Sequence, residues 1–187
     1  DQPLKPVTAS VGGSKISTKI ELLNNLSNKV EYLIIGGAMA NTFLSAQGYG
    51  IGISLTEKKM IQTAKEIIQE LKYKECELVL PLDIVCADST NERKDAQTFR
   101  VDCCPIDKMI LDIGIESQKN IMNIINKSKT LIWNGPLGAF ETRPFDQGTN
   151  NIAKYAANRT SKKQLISIAG GGDTVSALKT SASISKF

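Results

Sequence analysis

Short apolar runs, most of which stop at glycine or proline and lead into a longer amphipathic stretch, recur along the whole sequence. Continuous apolar runs of this length are typical of strands that are buried on both faces. The alternation of strand, turn and helix predicts a doubly wound parallel sheet between two helix layers, a Rossmann-like α/β/α sandwich. The predicted strands are residues 7–11, 33–35, 78–80, 84–87, 110–113, 130–133 and 165–169.

Apolar residues at helical spacing predict the helices between these strands. Ser54 and Glu57 have the spacing of a capping box, which would begin the third helix. The polar residues 88–108 predict an irregular excursion with one short strand near residues 99–103. The predicted helices cover residues 15–28, 39–47, 60–71, 117–127 and 147–159, and one more begins near Asp173.

The composition excludes several classes of chemistry. The 187 residues suit a single domain, residues 1–187. The chain contains no histidine. That excludes nucleophilic catalysis with imidazole as the base, and it excludes zinc sites built on His ligands. Any catalysis must therefore rely on lysine, carboxylate, amide, hydroxyl or backbone groups.

The composition also limits the partners. The net charge of +4 is spread along the chain, so we expect no nucleic-acid partner. No apolar run approaches the ~18 residues of a membrane helix, and the first residues do not resemble a signal peptide. The four cysteines form no C-x-x-C pair, which is typical of reduced thiols in a cytoplasmic protein.

The first glycine turn has the features of an anion site. Gly12 and Gly13 follow a predicted strand and would let backbone amides approach a ligand closely. The predicted helix after them offers unpaired N–H groups and the positive end of its dipole. Lys15 and Lys19 are four residues apart, so we expect both ammonium groups on one helix face. The segment is not a Walker A loop, and a plain glycine turn with solvated lysines is the alternative.

Two other glycine clusters follow predicted strands. Gly36 and Gly37 would accept a flat ring against bare backbone, with a simple tight turn as the alternative. The three glycines of residues 170–172 would again expose amides to an anion before a helix. Asp173 then lies in the first helical turn, where it would meet a phosphate-bound Mg²⁺ or would simply cap the helix.

The loop after Trp133 carries a third group of polar residues. We assign Trp133 itself to the core. Asn134 leaves the strand end and would donate to a phosphate oxygen, while Pro136 and Gly138 fix the loop. Glu141 would accept a hydrogen bond from a ribose hydroxyl. Because the carboxyl ends of parallel strands meet at one sheet edge, these groups together predict a site for a nucleoside triphosphate and its metal.

These segments resemble the successive motifs of the phosphoglycerate kinase family, in family order and over essentially the whole chain. The motifs are GGSKISTKIELLNNL, IIGGAMANTFL, SLTEK, LPLDIVCA, MILDIG, WNGPLGAFE, PFDQGT and AGGGDTVSAL. The resemblance implies the C-terminal, nucleotide-binding domain of a two-domain glycolytic kinase. This family transfers a phosphoryl group reversibly between 1,3-bisphosphoglycerate and Mg-ADP, giving 3-phosphoglycerate and ATP, and a carboxyl group is the acceptor.

The resemblance also implies roles for individual residues. Lys15 and Lys19 correspond to catalytic lysines that contact phosphate, with Lys19 nearer to the transferred group. Asp173 corresponds to the ligand of Mg²⁺. Two departures are Ala38, where the family usually has a third glycine, and Ile115, where it usually has proline. The implied nucleotide-binding residues are Gly12, Gly13, Gly36, Gly37, Leu55, Leu111, Asn134, Pro136, Gly138, Glu141, Gly170, Gly171, Gly172, Asp173 and Thr174.

The resemblance further implies that two parts of the family's machinery lie outside residues 1–187. These are the N-terminal domain that binds 1,3-bisphosphoglycerate or 3-phosphoglycerate, and a final glycine-rich loop. We therefore expect a cytoplasmic monomer that binds ADP or ATP and is inactive alone. One alternative is a nicotinamide-dependent oxidoreductase, although residues 12–15 lack the G-x-G-x-x-G pattern and Glu31 precedes its strand. A binding module without catalysis is the other.

Overall fold

The computed structural model describes residues 3–91 and 95–187 and shows two sheets. The larger sheet has five parallel strands, and the smaller has three antiparallel strands. The strands in chain order are β1 Val7–Val11, β2 Tyr32–Ile35, β3 Glu77–Val79, β4 Asp83–Ala87, β5 Gln97–Arg100, β6 Met109–Ile113, β7 Thr130–Asn134 and β8 Ile166–Gly170. The order of the larger sheet is β3-β2-β1-β7-β8.

Helices cover both faces of the larger sheet, which confirms the three-layer prediction. Along β1, Val7, Ala9 and Val11 face one core cluster, whereas the hydroxyl of Thr8 bonds that of Ser128 on the other side at 2.6 Å. Period-two alternation therefore divides the apolar residues between two helix layers. The helices are α1 Ile20–Ser27, α2 Gly37–Ala46, α3 Ile61–Tyr73, α4 Ile115–Lys127, α5 Gln147–Ser161 and α6 Gly172–Thr180.

The first layer consists of α1, α2 and α3, and the second of α4, α5 and α6. Leu23, Phe43 and Ile67 from the first layer pack with the residues of β1 in one cluster. Ile125 and Ile152 from the second layer pack with a different cluster, which includes the buried Trp133 of β7. The assignment of Trp133 to the core is confirmed. Among the described residues, no helix has the length and apolar character that crossing a membrane requires.

The smaller sheet is the main departure from the predicted arrangement. Residues 84–87 and 110–113 were expected to follow the same strand pattern as the rest, but β4 and β6 pair antiparallel with each other in the order β5-β4-β6. Their buried side chains, including Ile84 and Cys86, form a third small core with Leu44 of α2. A short apolar run does not reveal its pairing direction, because burial on both faces gives the same pattern in either sheet.

Two local predictions are wrong for a related reason. The helix predicted over residues 15–28 begins at Ile20, so residues 15–19 precede it. The proposed capping box also fails, since the hydroxyl of Ser54 accepts from the backbone of Ile110 at 2.8 Å and α3 has no side-chain cap. A 3₁₀ turn over Lys58–Met60 separates the two motif residues from α3. The spacing of residues in the sequence shows neither where α1 begins nor that Ser54 bonds Ile110.

The parallel register brings the glycine clusters to one edge. Val11 pairs with Ile35 on one side and with Asn134 on the other, and Asn134 pairs in turn with Gly170. Each of these residues is the last of its strand. The four segments that follow β1, β2, β7 and β8 therefore begin side by side at the carboxyl edge of the sheet, as the sequence predicts.

Candidate functional site

Three of the glycine turns at this edge are in direct backbone contact. The N–H of Gly12 donates to the carbonyl of Asn134 at 2.8 Å, and that of Gly37 donates to Leu137 at 2.9 Å. A Cβ atom at Gly12 would lie 1.9 Å from the carbonyl oxygen of Pro136. Gly37 has φ of 66°, a conformation that side chains disfavour. Glycine is therefore required here because the turns pack backbone against backbone.

Lys19 joins two of these turns through its ammonium group. Its Nζ donates to the carbonyl of Gly12 at 2.7 Å, to the carbonyl of Asn134 at 3.2 Å and to the side-chain oxygen of Asn134 at 2.6 Å. Burial lowers the pKa of Lys19, and the negative charge of Asp173 opposes that shift. Lys19 is thus a half-buried cation beside a carboxylate, at the carboxyl edge of the sheet.

Lys15 has a different environment from Lys19, which corrects the expectation of one shared helix face. Both residues lie before α1, and Lys19 is its N-cap with φ of −129°. The side chain of Lys15 is exposed. Residues four apart share a face only within a helix, so the spacing of Lys15 and Lys19 does not predict where their ammonium groups point.

An apolar cavity of about 320 Å³ lies between the turns and the smaller sheet. Its walls include four of the residues implied by the family resemblance, together with Ala38. Leu55 remains well exposed at its rim, with 61% of its surface accessible. The N–H of Ala139 donates to the carbonyl of Leu111 at 2.7 Å, which ties the loop after β7 to β6. The four implied residues are Gly37, Leu55, Leu111 and Gly138.

A second, more polar cavity of about 370 Å³ adjoins the first. The two share Ala38, Thr90 and Ala139 as lining residues. Four residues implied by the family resemblance line it together with Ser14, and both carboxylates among them are exposed. They are Gly13, Ser14, Pro136, Glu141 and Asp173. The two cavities together offer an apolar compartment joined to a polar one that holds carboxylates and lies near a lysine.

The loop before α6 is positioned by side chains of its neighbours. Gly171 has φ of 93°, and α6 begins at Gly172. Thr174 is buried, and its hydroxyl accepts from the backbone of Gly135 at 2.6 Å. This bond joins the loop after β7 to the start of α6. Thr174 therefore braces the two loops, whereas Asp173 beside it faces the polar cavity.

The acidic groups of the site suit a metal only if a ligand supplies most of the coordination. Among residues 3–91 and 95–187, no three His, Cys, Asp or Glu side chains gather as a metal centre. Asp173 offers one exposed carboxylate at the polar cavity. Mg²⁺ is commonly bound by one or two carboxylates together with substrate phosphates and water. The donor set therefore fits a magnesium ion that arrives with a phosphorylated ligand.

Asp112 is a site residue that the sequence analysis missed. It is 2% exposed and lines the apolar cavity. Its carboxylate accepts from the backbone of Gly148 at 2.8 Å and of Ile113 at 2.9 Å. Burial raises the pKa of Asp112 to about 7, the two hydrogen bonds oppose this, and Asp146 adds to it. The signal in the sequence was a carboxylate inside the apolar run of residues 110–113.

Two other lining residues had no sequence signal. Asn41 lies within α2, and its amide donates to the carbonyl of Leu55 at 3.1 Å. Thr90 belongs to the segment that was predicted only as an irregular excursion, yet it lines both cavities. Neither residue follows a strand of the larger sheet, so the strand-end argument did not reach them. Gly12, Gly36 and Gly170 shape the backbone of the edge, and none of the three lines either of these cavities.

Comparison with known proteins finds relatives in one family. The family model described as phosphoglycerate kinase matches residues 1–187. The phosphoglycerate kinase of Methylorubrum extorquens (strain PA1) is 52% identical over 178 residues, which cover 95% of this chain and 44% of that protein. The phosphoglycerate kinase of Ruegeria pomeroyi is 52% identical over 186 residues, covering 100% of this chain and 47% of its own length.

Solved structures agree with the sequence matches. The structure of phosphoglycerate kinase from Coxiella burnetii superposes with a TM-score of 0.92 at 40% identity, covering 99% of this chain and 47% of that chain. The enzyme from Pyrococcus horikoshii, at 22% identity and a TM-score of 0.77, supports the fold alone. The chain spans less than half the length of the relatives that it matches.

Proposed function

Because this chain belongs to the phosphoglycerate kinase family, we propose that it is the adenine-nucleotide-binding part of such a kinase. The whole enzyme would transfer a phosphoryl group reversibly between 1,3-bisphosphoglycerate and Mg-ADP, giving 3-phosphoglycerate and ATP. The observation that carries this proposal is the apolar cavity that adjoins a polar one at the carboxyl edge of the sheet. A nucleotide has the same two-part character, with a flat base at one end and charged phosphates at the other.

The base would occupy the apolar cavity. Gly37 and Ala38 supply backbone and a methyl group on one wall, and Leu55 and Leu111 supply apolar side chains on others. Pockets of this kind bind a ligand mainly by burying its apolar surface, with few polar groups to orient it. The volume of about 320 Å³ lies within the usual size of small-molecule sites.

The ribose and phosphates would occupy the polar cavity. Glu141, Gly13 and Ser14 line this cavity. Glu141 would accept from a ribose hydroxyl, while Gly13 and Ser14 would offer backbone amides to the phosphates. Asp173 would hold the magnesium ion, which neutralises phosphate charge when it is bound. Lys15 and Lys19 would contribute positive charge from the segment that precedes α1.

These groups would supply the nucleotide side of phosphoryl transfer without histidine. Such transfer depends on positioning and on stabilising charge, and little proton transfer is needed from the protein. All three donors of the Lys19 ammonium are used by Gly12 and Asn134. Contact between Lys19 and a phosphate therefore requires one of these bonds to be exchanged for the phosphate oxygen.

The phosphoglycerate substrate would bind to a domain outside residues 1–187. A final glycine-rich loop of the family would also lie outside these residues. This chain would then bind nucleotide without catalysing transfer by itself. Cys76, Cys86, Cys103 and Cys104 are all free thiols, which supports a cytoplasmic location. A monomeric state remains a prediction, and analytical ultracentrifugation of the chain measures it.

Calorimetric titration of the chain with Mg-ADP and Mg-ATP tests the proposal. We expect binding to both nucleotides and negligible turnover of 3-phosphoglycerate with Mg-ATP in a coupled assay. Lys15→Met should weaken Mg-ADP binding, whereas Lys162→Met, exposed at the far end of α5, serves as the matched control. Absence of adenine-nucleotide binding would reject the proposed site, and substantial turnover by this chain alone would reject its dependence on a missing domain.

A further inference from the structure

The segment between β1 and α1 carries both lysines but has little structure of its own. Its internal hydrogen bonds are short-range. The N–H of Lys19 donates to the carbonyl of Ile16 at 2.8 Å, and the hydroxyl of Thr18 donates to the carbonyl of Lys15 at 3.0 Å. Because α1 starts only at Ile20, helical bonding does not fix the position of Lys15. Its geometry depends on contacts with the rest of the molecule.

Glu57 supplies such a contact from forty positions along the chain. One carboxylate oxygen accepts from the backbone N–H of Ser17 at 3.1 Å, and the other accepts from the hydroxyl of Ser17 at 2.5 Å. Both oxygens are therefore used on the residue midway between the two lysines. A two-point contact fixes orientation as well as distance, and hydrogen bonds to an ionised acceptor are stronger than neutral ones.

Glu57 is itself held against α2. Its N–H donates to the hydroxyl of Thr42 at 3.1 Å, and Thr42 is fully buried. The hydroxyls of Thr42 and Thr56 lie 3.2 Å apart. Asn41, next to Thr42 on α2, donates to the carbonyl of Leu55 at 3.1 Å. The segment from Leu55 to Glu57 is thus anchored to the helix that forms one wall of the apolar cavity.

The ionisation of Glu57 agrees with this role. Partial burial disfavours the carboxylate, but the hydrogen bonds from the side chain and backbone of Ser17 outweigh it, with further help from Ile16 and the charge of Lys15. The pKa of Glu57 therefore lies below its ordinary value. The Glu57 carboxylate is therefore charged at neutral pH, and it attracts Lys15 as well as accepting hydrogen bonds from Ser17.

We propose that Glu57 is a positioning residue that links the base-binding side of the site, at Leu55, to the phosphate-binding lysines through Ser17. This inference rests on the proposed function for its consequence on binding. The contact between Glu57 and Ser17 keeps the segment of residues 14–19 in one conformation before nucleotide arrives. Nucleotide binding then costs less conformational entropy, because this segment is already ordered.

Two measurements on the 187-residue chain test the proposal. Amide hydrogen exchange in the absence of ligand should show faster exchange at residues 17–19 in Glu57→Gln than in the unmodified chain. Titration should show Mg-ADP affinity reduced about tenfold, corresponding to the ~1.4 kcal/mol expected when a charge-assisted bond is weakened. Adenosine, which lacks phosphate, should keep its affinity because Leu55 and the apolar cavity are unchanged.

Matched variants separate positioning from a general effect on folding. Ser17→Ala should reproduce part of the loss, and the double variant should lose less than the sum of the two single losses because both remove one contact. Glu66→Gln removes an exposed carboxylate from α3, where Glu66 accepts from Gln62 at 3.2 Å, and should behave like the unmodified chain. Circular dichroism confirms that each variant is folded.

Each outcome decides the matter. Unchanged hydrogen exchange at residues 17–19 in Glu57→Gln would show that the contact between Glu57 and Ser17 does not order this segment. Equal losses of affinity for adenosine and Mg-ADP would show that Glu57 does not act selectively on phosphate binding. If the unmodified chain binds no Mg-ADP at all, the proposed function fails. Hydrogen exchange still decides in that case whether Glu57 orders the lysine segment.

Discussion

The ammonium nitrogen of Lys19 lies 2.6 Å from the side-chain oxygen of Asn134, a residue 115 positions further along the chain. The same ammonium also donates to the carbonyls of Gly12 and Asn134. Lys19 therefore links the turn after β1 to the end of β7 at the point where the proposed phosphates would lie. Lys19 therefore has two functions, because its ammonium group both links two segments at the edge of the sheet and presents positive charge there.

Replacing Asn134 with alanine should destabilise the chain. The half-buried ammonium of Lys19 would lose one of its three acceptors, and hydrogen bonds to charged groups contribute about 1.5–3 kcal/mol. We expect the free energy of unfolding in urea to fall by roughly 1–2 kcal/mol, since two carbonyl acceptors remain. Asn28→Ala is the control, because the exposed amide of Asn28 donates to the carbonyl of Asn24, four residues earlier in the chain. Equal losses in the two variants would contradict the role of the pair.

Gly12→Ala should disturb the site more than any conformational preference explains. A Cβ at residue 12 would lie 1.9 Å from the carbonyl oxygen of Pro136, and backbone cannot swing aside like a flexible side chain. Overpacking of this kind costs about 1–3 kcal/mol or more, so the melting temperature should drop clearly. Gly50→Ala, with no heavy atom within 4 Å of the added Cβ, should change it little. A melting temperature of Gly12→Ala close to that of Gly50→Ala would show that the loops relax easily.

Asp112→Asn should change how stability depends on pH. The pKa of Asp112 is raised to about 7 in the folded chain by burial, while an unfolded aspartate titrates near 4. Between these values the folded state keeps a proton that the unfolded state has released, so the contribution of Asp112 to stability falls as pH rises. Asparagine does not titrate. The stability of the variant minus that of the unmodified chain should therefore rise by roughly 2–4 kcal/mol from pH 4 to pH 7.

Urea denaturation of both proteins at several pH values measures this difference. The comparison depends on the slope and not on the absolute stability, because asparagine also presents an N–H₂ group to the backbone donors of Gly148 and Ile113. That mismatch changes the stability of the variant by the same amount at every pH. A difference that stays constant across the range would show that the pKa of the carboxyl group is not shifted by folding. A difference that falls as pH rises would show that its pKa is lowered, and either result would contradict the prediction.

Trp133→Phe should destabilise the chain through both packing and a lost hydrogen bond. Trp133 is 1% exposed, and its indole N–H donates to the carbonyl of Gly135 at 2.7 Å. The smaller ring leaves a void and an unpaired buried carbonyl, which together should lower the free energy of unfolding by about 2–4 kcal/mol. Tyr73→Phe, at a side chain that is 91% exposed, should have almost no effect. Far-UV circular dichroism follows unfolding in all three proteins, and indistinguishable midpoints would refute the expected cost.

Residues that follow the parallel strands could be located from the sequence, because these strands end together at one edge of the sheet. Gly13, Gly37, Pro136 and Asp173 were expected at one edge, and all four line the two adjoining cavities. The capping box predicted from the spacing of Ser54 and Glu57 is wrong. Their actual partners, Ile110 and Ser17, lie far away in sequence. Local spacing is informative only where the intervening residues adopt the regular structure that the spacing assumes.

The sequence by itself determined the layered α/β fold, because apolar runs that alternate with glycine turns and amphipathic stretches are typical of strands buried between helix layers. Its ordered motifs determined the family. The sequence also determined that residues 1–187 contribute no imidazole group. Only the tertiary structure decided that Lys19 bonds Asn134, that Glu57 braces Ser17 and that Asp112 is buried within the cavity wall. These relationships join residues 36 to 115 positions apart. They depend on which strands become neighbours in the folded chain, and a local sequence pattern does not specify this.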